Sequence, residues 1–229
     1  MQKRFLFFAL LLFIQGFSQD LTEKDSTVID SLYREDQFYF GLTYNMLQNK
    51  PGGLSQSGFS NGLSLGFLRD MPVNKARTYA VALGVGVAYN SFNQNMLVSQ
   101  DADGYHYQIL DGVSYDKNRL TTFNIEVPLE LRWRTSTPQS HRFFRLYAGI
   151  KLSYSVYNRS VFKGEETIKV VNNPDLSKFK YGVYLATGYN TWNFYVYYGI
   201  SPLYNSDAKI DGETITMNTV QLGLMFYIL

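Results

Sequence analysis

From Gln37 to the end of the chain, large apolar side chains recur at every second position in eight separate stretches. The clearest stretch carries Tyr79, Val81, Leu83, Val85, Val87 and Tyr89, with Ala80, Ala82, Gly84, Gly86, Ala88 and Asn90 between them. Successive side chains of an extended strand point to opposite faces, so this pattern marks a strand whose two sides meet different surroundings. Upstream of it lie Phe38 to Met46 and Phe59 to Phe67. Downstream lie Phe123 to Trp133, Phe144 to Val156, Phe179 to Tyr189, Phe194 to Ile200 and Val220 to Ile228. Runs of about ten alternating residues have the length that crosses a hydrocarbon layer at a tilt of roughly 45°.

The connections fall into two alternating kinds. Met71 to Thr78, Thr135 to Arg142 and Asn190 to Asn193 are short; Gln48 to Gly58, Asn93 to Arg119, Arg159 to Lys178 and Leu203 to Thr214 are longer. All short connections then lie at one end of the strands and all long ones at the other, the asymmetry of outer-membrane barrels. The pattern predicts an all-β fold, an eight-stranded antiparallel up-and-down transmembrane β-barrel over residues 37–229. Both chain ends are expected on the periplasmic side. Phe67, Tyr79, Trp133, Phe144, Tyr189, Trp192 and Phe194, at the strand ends, suit an interfacial aromatic girdle.

Alternation alone does not say which face meets lipid. The non-apolar face decides it, because it holds Gly41, Gly62, Gly66, Gly84, Gly86, Gly149, Gly182, Gly188, Gly199 and Gly223. Glycine weakens an exposed strand for no gain, whereas inside a narrow barrel it makes room for larger neighbours. Those neighbours include Tyr39, Tyr147, Tyr184, Tyr195, Tyr197, Gln221 and Tyr227, and charges of both signs. Basic side chains in lipid cost roughly 2–4 kcal/mol near the midplane, so both signs belong inside. Buried charges must pair. A lumen charge network of Glu126, Glu130, Arg132, Arg134, Arg145, Lys151 and Lys180 is therefore expected, centred on Glu126, Glu130 and Arg145.

The first residues change the picture of charge. Met1-Gln2-Lys3-Arg4, an apolar run from Phe5 to Ile14 and Gln15-Gly16-Phe17-Ser18 have the form of a secretory signal peptide, residues 1–18. Its removal takes away Lys3 and Arg4 and no acid, leaving 19 basic against 19 acidic residues. A balanced charge gives no bulk field for nucleic acid, and no nucleic-acid partner is expected. Residues 19–36 are polar and acidic and read as a periplasmic N-terminal arm. Cysteine is absent, which excludes disulfides and thiolate metal sites.

Particular residues also carry a family resemblance. Phe40-Gly41-Leu42, Gly62-Leu63-Ser64-Leu65-Gly66-Phe67, Ile125-Glu126-Val127-Pro128-Leu129-Glu130-Leu131-Arg132, Tyr147-Ala148-Gly149 and Leu222-Gly223-Leu224-Met225-Phe226-Tyr227 are the segments concerned. Through them the chain resembles the Bacteroidota outer-membrane barrels labelled PorT-like or porin-family, over about residues 37 to 229. The resemblance implies an eight-stranded barrel, and some members accompany type IX secretion. Phe226 and Tyr227 also give the chain an aromatic close similar to the signal read by barrel-insertion machinery. Eight strands leave no open aqueous channel once side chains fill the interior. Pro128 falls mid-strand, where it removes a ladder hydrogen bond and suggests a bulge, a strained register or a lateral opening.

Candidate chemistry is sparse. The two histidines, His106 and His141, fall at opposite ends of the barrel. His106 has Ser99, Ser114, Asp101 and Asp111 in its own loop, the residue types of a hydrolase but also of any polar loop. Asp101-Ala102-Asp103-Gly104 reads as a turn, because a calcium loop would need a bidentate Glu where Gly112 stands. Gly84-Val85-Gly86 precedes no phosphate-binding helix, and Asn158-Arg159-Ser160 matches a glycosylation acceptor. No catalytic set, cofactor or metal is expected. The longest loop has Val98, Tyr105, Tyr107, Ile109 and Val113 placed to continue the strands as a hairpin, with Tyr105, His106 and Tyr107 as candidate recognition residues. The expected protein is a non-enzymatic integral outer-membrane barrel, a structural or accessory subunit of an envelope complex, with membrane lipid and envelope proteins as partners. The rivals are a loop-gated barrel passing small or apolar solutes and a lipid-modifying enzyme using His106.

Overall fold

The computed structural model describes residues 35–135, 144–189 and 192–228. The expected signal peptide, most of the arm and His141 lie outside the described residues. Eight long strands make the wall: β1 (Glu35–Gln48), β2 (Asn61–Pro72), β3 (Tyr79–Asn93), β6 (Lys117–Arg134), β7 (Phe144–Lys163), β9 (Phe179–Tyr189), β10 (Trp192–Gly199) and β13 (Asn218–Ile228). Five short ones, β4 (Met96–Asp101), β5 (Gly104–Ile109), β8 (Thr167–Val171), β11 (Lys209–Ile210) and β12 (Glu213–Thr214), belong to the long connections. Each wall strand pairs antiparallel with the next. β13 returns to β1, from Gln48↔Asn218 to Phe38↔Ile228. The sheet is a closed eight-stranded barrel, and closure leaves no edge with unpaired backbone groups.

Period-two alternation sends large apolar side chains outward. Leu83, Leu129 and Leu222 are 49%, 44% and 40% exposed, whereas Glu130 and Arg132 are each 2% exposed. In water such an apolar wall would be untenable; against acyl chains it is the required surface.

Aromatic rings border this wall at two heights. Near the short turns, Phe38 meets Phe67 at 5.6 Å, Trp133 meets Phe144 at 6.1 Å and Trp192 meets Phe226 at 5.1 Å. Towards the loops, Tyr89 meets Phe123 at 5.1 Å, Phe123 meets Tyr157 at 6.0 Å and Tyr154 meets Phe179 at 4.9 Å. Tyr79 and Tyr89, Trp133 and Phe123, Phe144 and Tyr154, and Tyr189 and Phe179 are each ten residues apart along one strand. At about 3.4 Å per residue and a tilt near 40° that is about 26 Å of height. It matches the roughly 25 Å apolar band of an outer-membrane barrel.

Three expectations need correction. β3, β6 and β7 run past the loop-end rings, to Asn93, Lys117 and Lys163, because the backbone ladder persists where lipid no longer demands apolar residues. Pro128 causes no bulge: it keeps its register opposite Lys151, and the bulge between β6 and β7 falls at Phe123/Asn124. On its other side, the β3–β6 pairing lapses between Leu83↔Leu129 and Gly86↔Glu126 and resumes in the same register. One missing donor interrupts the ladder without displacing the strand. Asn158, whose tripeptide matches a glycosylation acceptor, is buried in β7, where its amide donates to the Asn173 carbonyl at 3.1 Å.

Candidate functional site

The interior is built in layers. Nearest the short turns, Arg132 on β6 donates from Nε to Glu130 at 2.6 Å and from Nη1 to Asp70 and Gln37, both at 2.8 Å. Arg134 donates to the other Asp70 oxygen at 2.8 Å and to the Arg77 carbonyl at 2.8 Å. The Arg132 guanidinium also stacks over the Tyr147 ring at 4.6 Å. Glu130 further accepts the Tyr184 and Tyr227 hydroxyls at 2.8 and 3.3 Å. One level up, Lys151 pairs with Glu126 at 3.1 Å, donates to the Tyr195 hydroxyl at 3.1 Å and lies 4.3 Å from the centre of the Tyr197 ring. Above that sits a carboxamide layer, in which Asn45 and Gln221 both donate to Asn90, at 3.1 and 2.8 Å.

Arg132 is a centre of the network alongside Glu126 and Glu130, a role the sequence did not single out for it. Two acids converge on Arg132 because β2 and β6 both aim into the lumen at the same height, while Arg145 occupies the inner face of β7 beside them. Lys180 lies in register with Glu126 through Ser153 and lines the same lumen cavity, and its ammonium donates to the Ser177 carbonyl at 3.0 Å. Asp70 and Gln37 escaped the sequence reading. The signal was present: the inner series Gly62, Ser64, Gly66, Leu68 continues by two to Asp70.

Glycines make this filling geometrically feasible. A Cβ on Gly66 would meet the Tyr39 ring, one on Gly149 the Tyr184 ring, and one on Gly182 the Tyr197 ring at 2.6 Å. Each tyrosine therefore lies flat over a bare stretch of wall. Two lumen cavities measure about 10 and 20 Å³, room for about one water apiece.

The long connections fold over the loop-end mouth and close it with a separate apolar core. Leu47, Phe92 and Leu120 rise from the wall strands to meet Met96, Val98, Leu176, Leu203, Tyr204 and Met217 from the loops. The β4–β5 hairpin forms as expected but does not extend the wall strands. It pairs only with itself, from Met96↔Ile109 to Asp101↔Gly104, and turns its apolar side onto this core. Asp101-Ala102-Asp103-Gly104 is its turn, with the Asp103 amide donating to Asp101 at 2.9 Å and Gly104 at φ 128°. A side chain would be strained at that φ.

This packing divides the candidate recognition residues. Tyr107 donates to Asp175 at 2.7 Å, accepts from Asn173 at 2.7 Å and meets Tyr204 edge-on at 5.6 Å. Burial pushes its hydroxyl far above the usual tyrosine range, so it stays a donor. Tyr105 also packs against the cap, and His106 alone of the three is exposed, 2.9 Å from Asp101. Tyr107 is a latch of the cap rather than a free contact residue. No group of three or more metal-ligating side chains occurs among the described residues.

The family described as "Outer membrane protein beta-barrel domain" matches residues 17–205. The chain belongs to that family, and it is an outer-membrane β-barrel protein. No curated protein matches it in sequence. Among solved structures it is similar to Ail, the attachment invasion locus protein of Yersinia pestis, solved in complex with the heparin analogue sucrose octasulfate. That similarity has a TM-score of 0.37 at 11% identity and covers 85% of this chain and 99% of Ail.

Proposed function

We propose that the protein is a sealed, non-enzymatic barrel that serves as a structural or accessory subunit of an envelope secretion or assembly complex, working through its outer surfaces. The observation that carries this reading is the double closure: packed side chains fill the lumen, and the loops bury an apolar core across one mouth. A protein so closed offers its partners a wall, a set of turns and a loop cap. The short turns and both ends of the described chain share one end, which favours periplasmic termini. Residues 1–18 then act as the export signal, and residues 19–36 as an arm free to dock in the periplasm. The likeness of β1, β2 and β6 to PorT-like Bacteroidota barrels supports a place beside secretion machinery. His106 and Asp101 stand open to solvent, unlike a base in a water-excluded pocket, which supports the non-enzymatic reading.

Reconstituted in planar bilayers, the full chain is expected to add no steady conductance. Crosslinking and gentle solubilisation from the native membrane should recover an envelope protein in fixed ratio. Steady conductance or solute uptake would overturn the sealed barrel in favour of loop-gated transport, and recovery of the monomer alone would overturn the subunit role.

A further inference from the structure

Above the loop-end aromatic ring, the outer wall of β6, β7 and β8 changes from apolar to basic. β6 continues past Phe123 to Arg119 and Lys117, β7 past Tyr157 to Arg159 and Lys163, and β8 adds Lys169. Alternation places these five side chains on the outward face, with Asn118, Leu120, Asn158 and Ser160 buried between them. Lys117 lies directly opposite Lys163 across the ladder, and Arg119 and Lys169 flank Val161 from both sides. Thr121 separates Arg119 from the ring, and Arg159 stands opposite it.

Like charges set directly opposite in a sheet repel. The charges that act on Lys117 are those of Arg119, Lys163 and Arg159, all basic. Among the described residues, none of the five makes an ion pair with an acid. Arg119 is instead held by an uncharged group, donating from Nε to Asn93 at 2.8 Å. The cluster therefore carries an excess of positive charge on a rigid surface, five cations beside the exposed Asp116, Glu165 and Glu166 of the flanking turns, which form no ion pair among the described residues. Its height says what it faces. At about 2.6 Å of rise per residue, Arg159 stands roughly 5 Å, Arg119 and Lys169 roughly 10 Å, and Lys117 and Lys163 roughly 16 Å above the ring. The headgroup layer is about 5–8 Å deep on each side, so Arg159 stands within it, Arg119 and Lys169 just above it, and Lys117 and Lys163 one level higher, where their long side chains can reach back down. Long basic side chains there direct their stems along the wall and their charges into that layer.

We infer that the outward face of β6, β7 and β8 is a binding site for the phosphorylated headgroup of a membrane glycolipid, held by Lys117, Arg119, Arg159, Lys163 and Lys169. Arg119 and Arg159 suit paired contacts to phosphate oxygens, and the lysines supply point charges around them. The aromatic ring beneath receives the acyl chains. This placement rests on the loop end facing the outer leaflet, but the binding measurement in detergent does not depend on orientation or on any protein partner.

Native mass spectrometry of the detergent-solubilised full chain, titrated with diphosphorylated lipid A, phosphatidylcholine or inorganic phosphate, tests it. The protein should retain lipid A in preference to phosphatidylcholine, with excess inorganic phosphate failing to displace it. The triple variant Lys117→Gln, Arg119→Gln, Lys163→Gln should lose about tenfold or more of that preference. It should keep the heat-dependent gel mobility of a folded barrel. Lys50→Gln, Lys75→Gln, Lys209→Gln removes equal charge from other exposed positions and should bind as the parent does. Equal loss in both triple variants, no preference for lipid A in the parent, or displacement by inorganic phosphate would overturn the site. A conducting barrel that still holds lipid A would overturn the sealed-barrel function and leave the site standing.

Discussion

Asp70 has no exposed surface and accepts one guanidinium on each carboxylate oxygen, Arg132 on one side and Arg134 on the other. Asp70→Asn keeps the shape and removes the charge, leaving two buried cations short of an anion. We expect a loss of about 3–5 kcal/mol, read as a lower urea midpoint for unfolding in detergent. Asp36 offers the contrast, since it reaches Arg69 only at 3.9 Å with both groups more than half exposed. Asp36→Asn should cost less than about 1 kcal/mol, and comparable losses in the two variants would refute the buried network as a stability determinant. Much of this was readable in the chain. Glu126, Glu130, Arg132 and Arg134 had to face inward because each alternates with Ile125, Val127, Leu129, Leu131 and Trp133. Which cation takes which acid was not readable, since the partners come from strands up to 64 residues away, as between Arg134 and Asp70.

The β4–β5 hairpin shows how an element can be visible in sequence while its placement is not. Val98, Tyr107 and Ile109 announce a two-faced ribbon, and Asp101 to Gly104 announces its turn. Nothing local distinguishes a ribbon standing above the membrane from one lying across the mouth; that depends on Leu54, Leu176 and Leu203, contributed by three other connections. The turn carries a pH dependence of its own. The hydrogen bond from His106, helped by the Asp103 amide, holds the Asp101 carboxyl below the ordinary value of 3.8. A carboxyl depressed in the folded state stabilises it fully above the ordinary value, and that support vanishes as pH falls through the depressed one. The cross-strand nuclear Overhauser contact between Ser99 and His106 should therefore hold from neutral pH down to about 4 and weaken only below it. Asp101→Asn should lack this transition, and an unchanged profile in that variant would remove Asp101 as its cause.

At the scale of the whole molecule, the apolar exterior is the decisive property. Leu129 lies mid-strand on the lipid face, between Val127 and Leu131. Leu129→Arg should destabilise the barrel by about 2–4 kcal/mol in lipid bilayers, measured by reversible urea unfolding. An unchanged midpoint would mean that this face does not meet hydrocarbon. The chain by itself determined the strands, their inner and outer faces, the closed barrel of eight and the segregation of short and long connections. These follow from a period of two, which each residue expresses through its immediate neighbours and which the bilayer enforces along every strand. Only the tertiary structure decided that Arg132 sits at the centre of the lumen, that the loops seal one mouth and that five cations gather on one outer face. Such features join residues far apart in sequence, brought together by strand register and loop packing, and no local period records them.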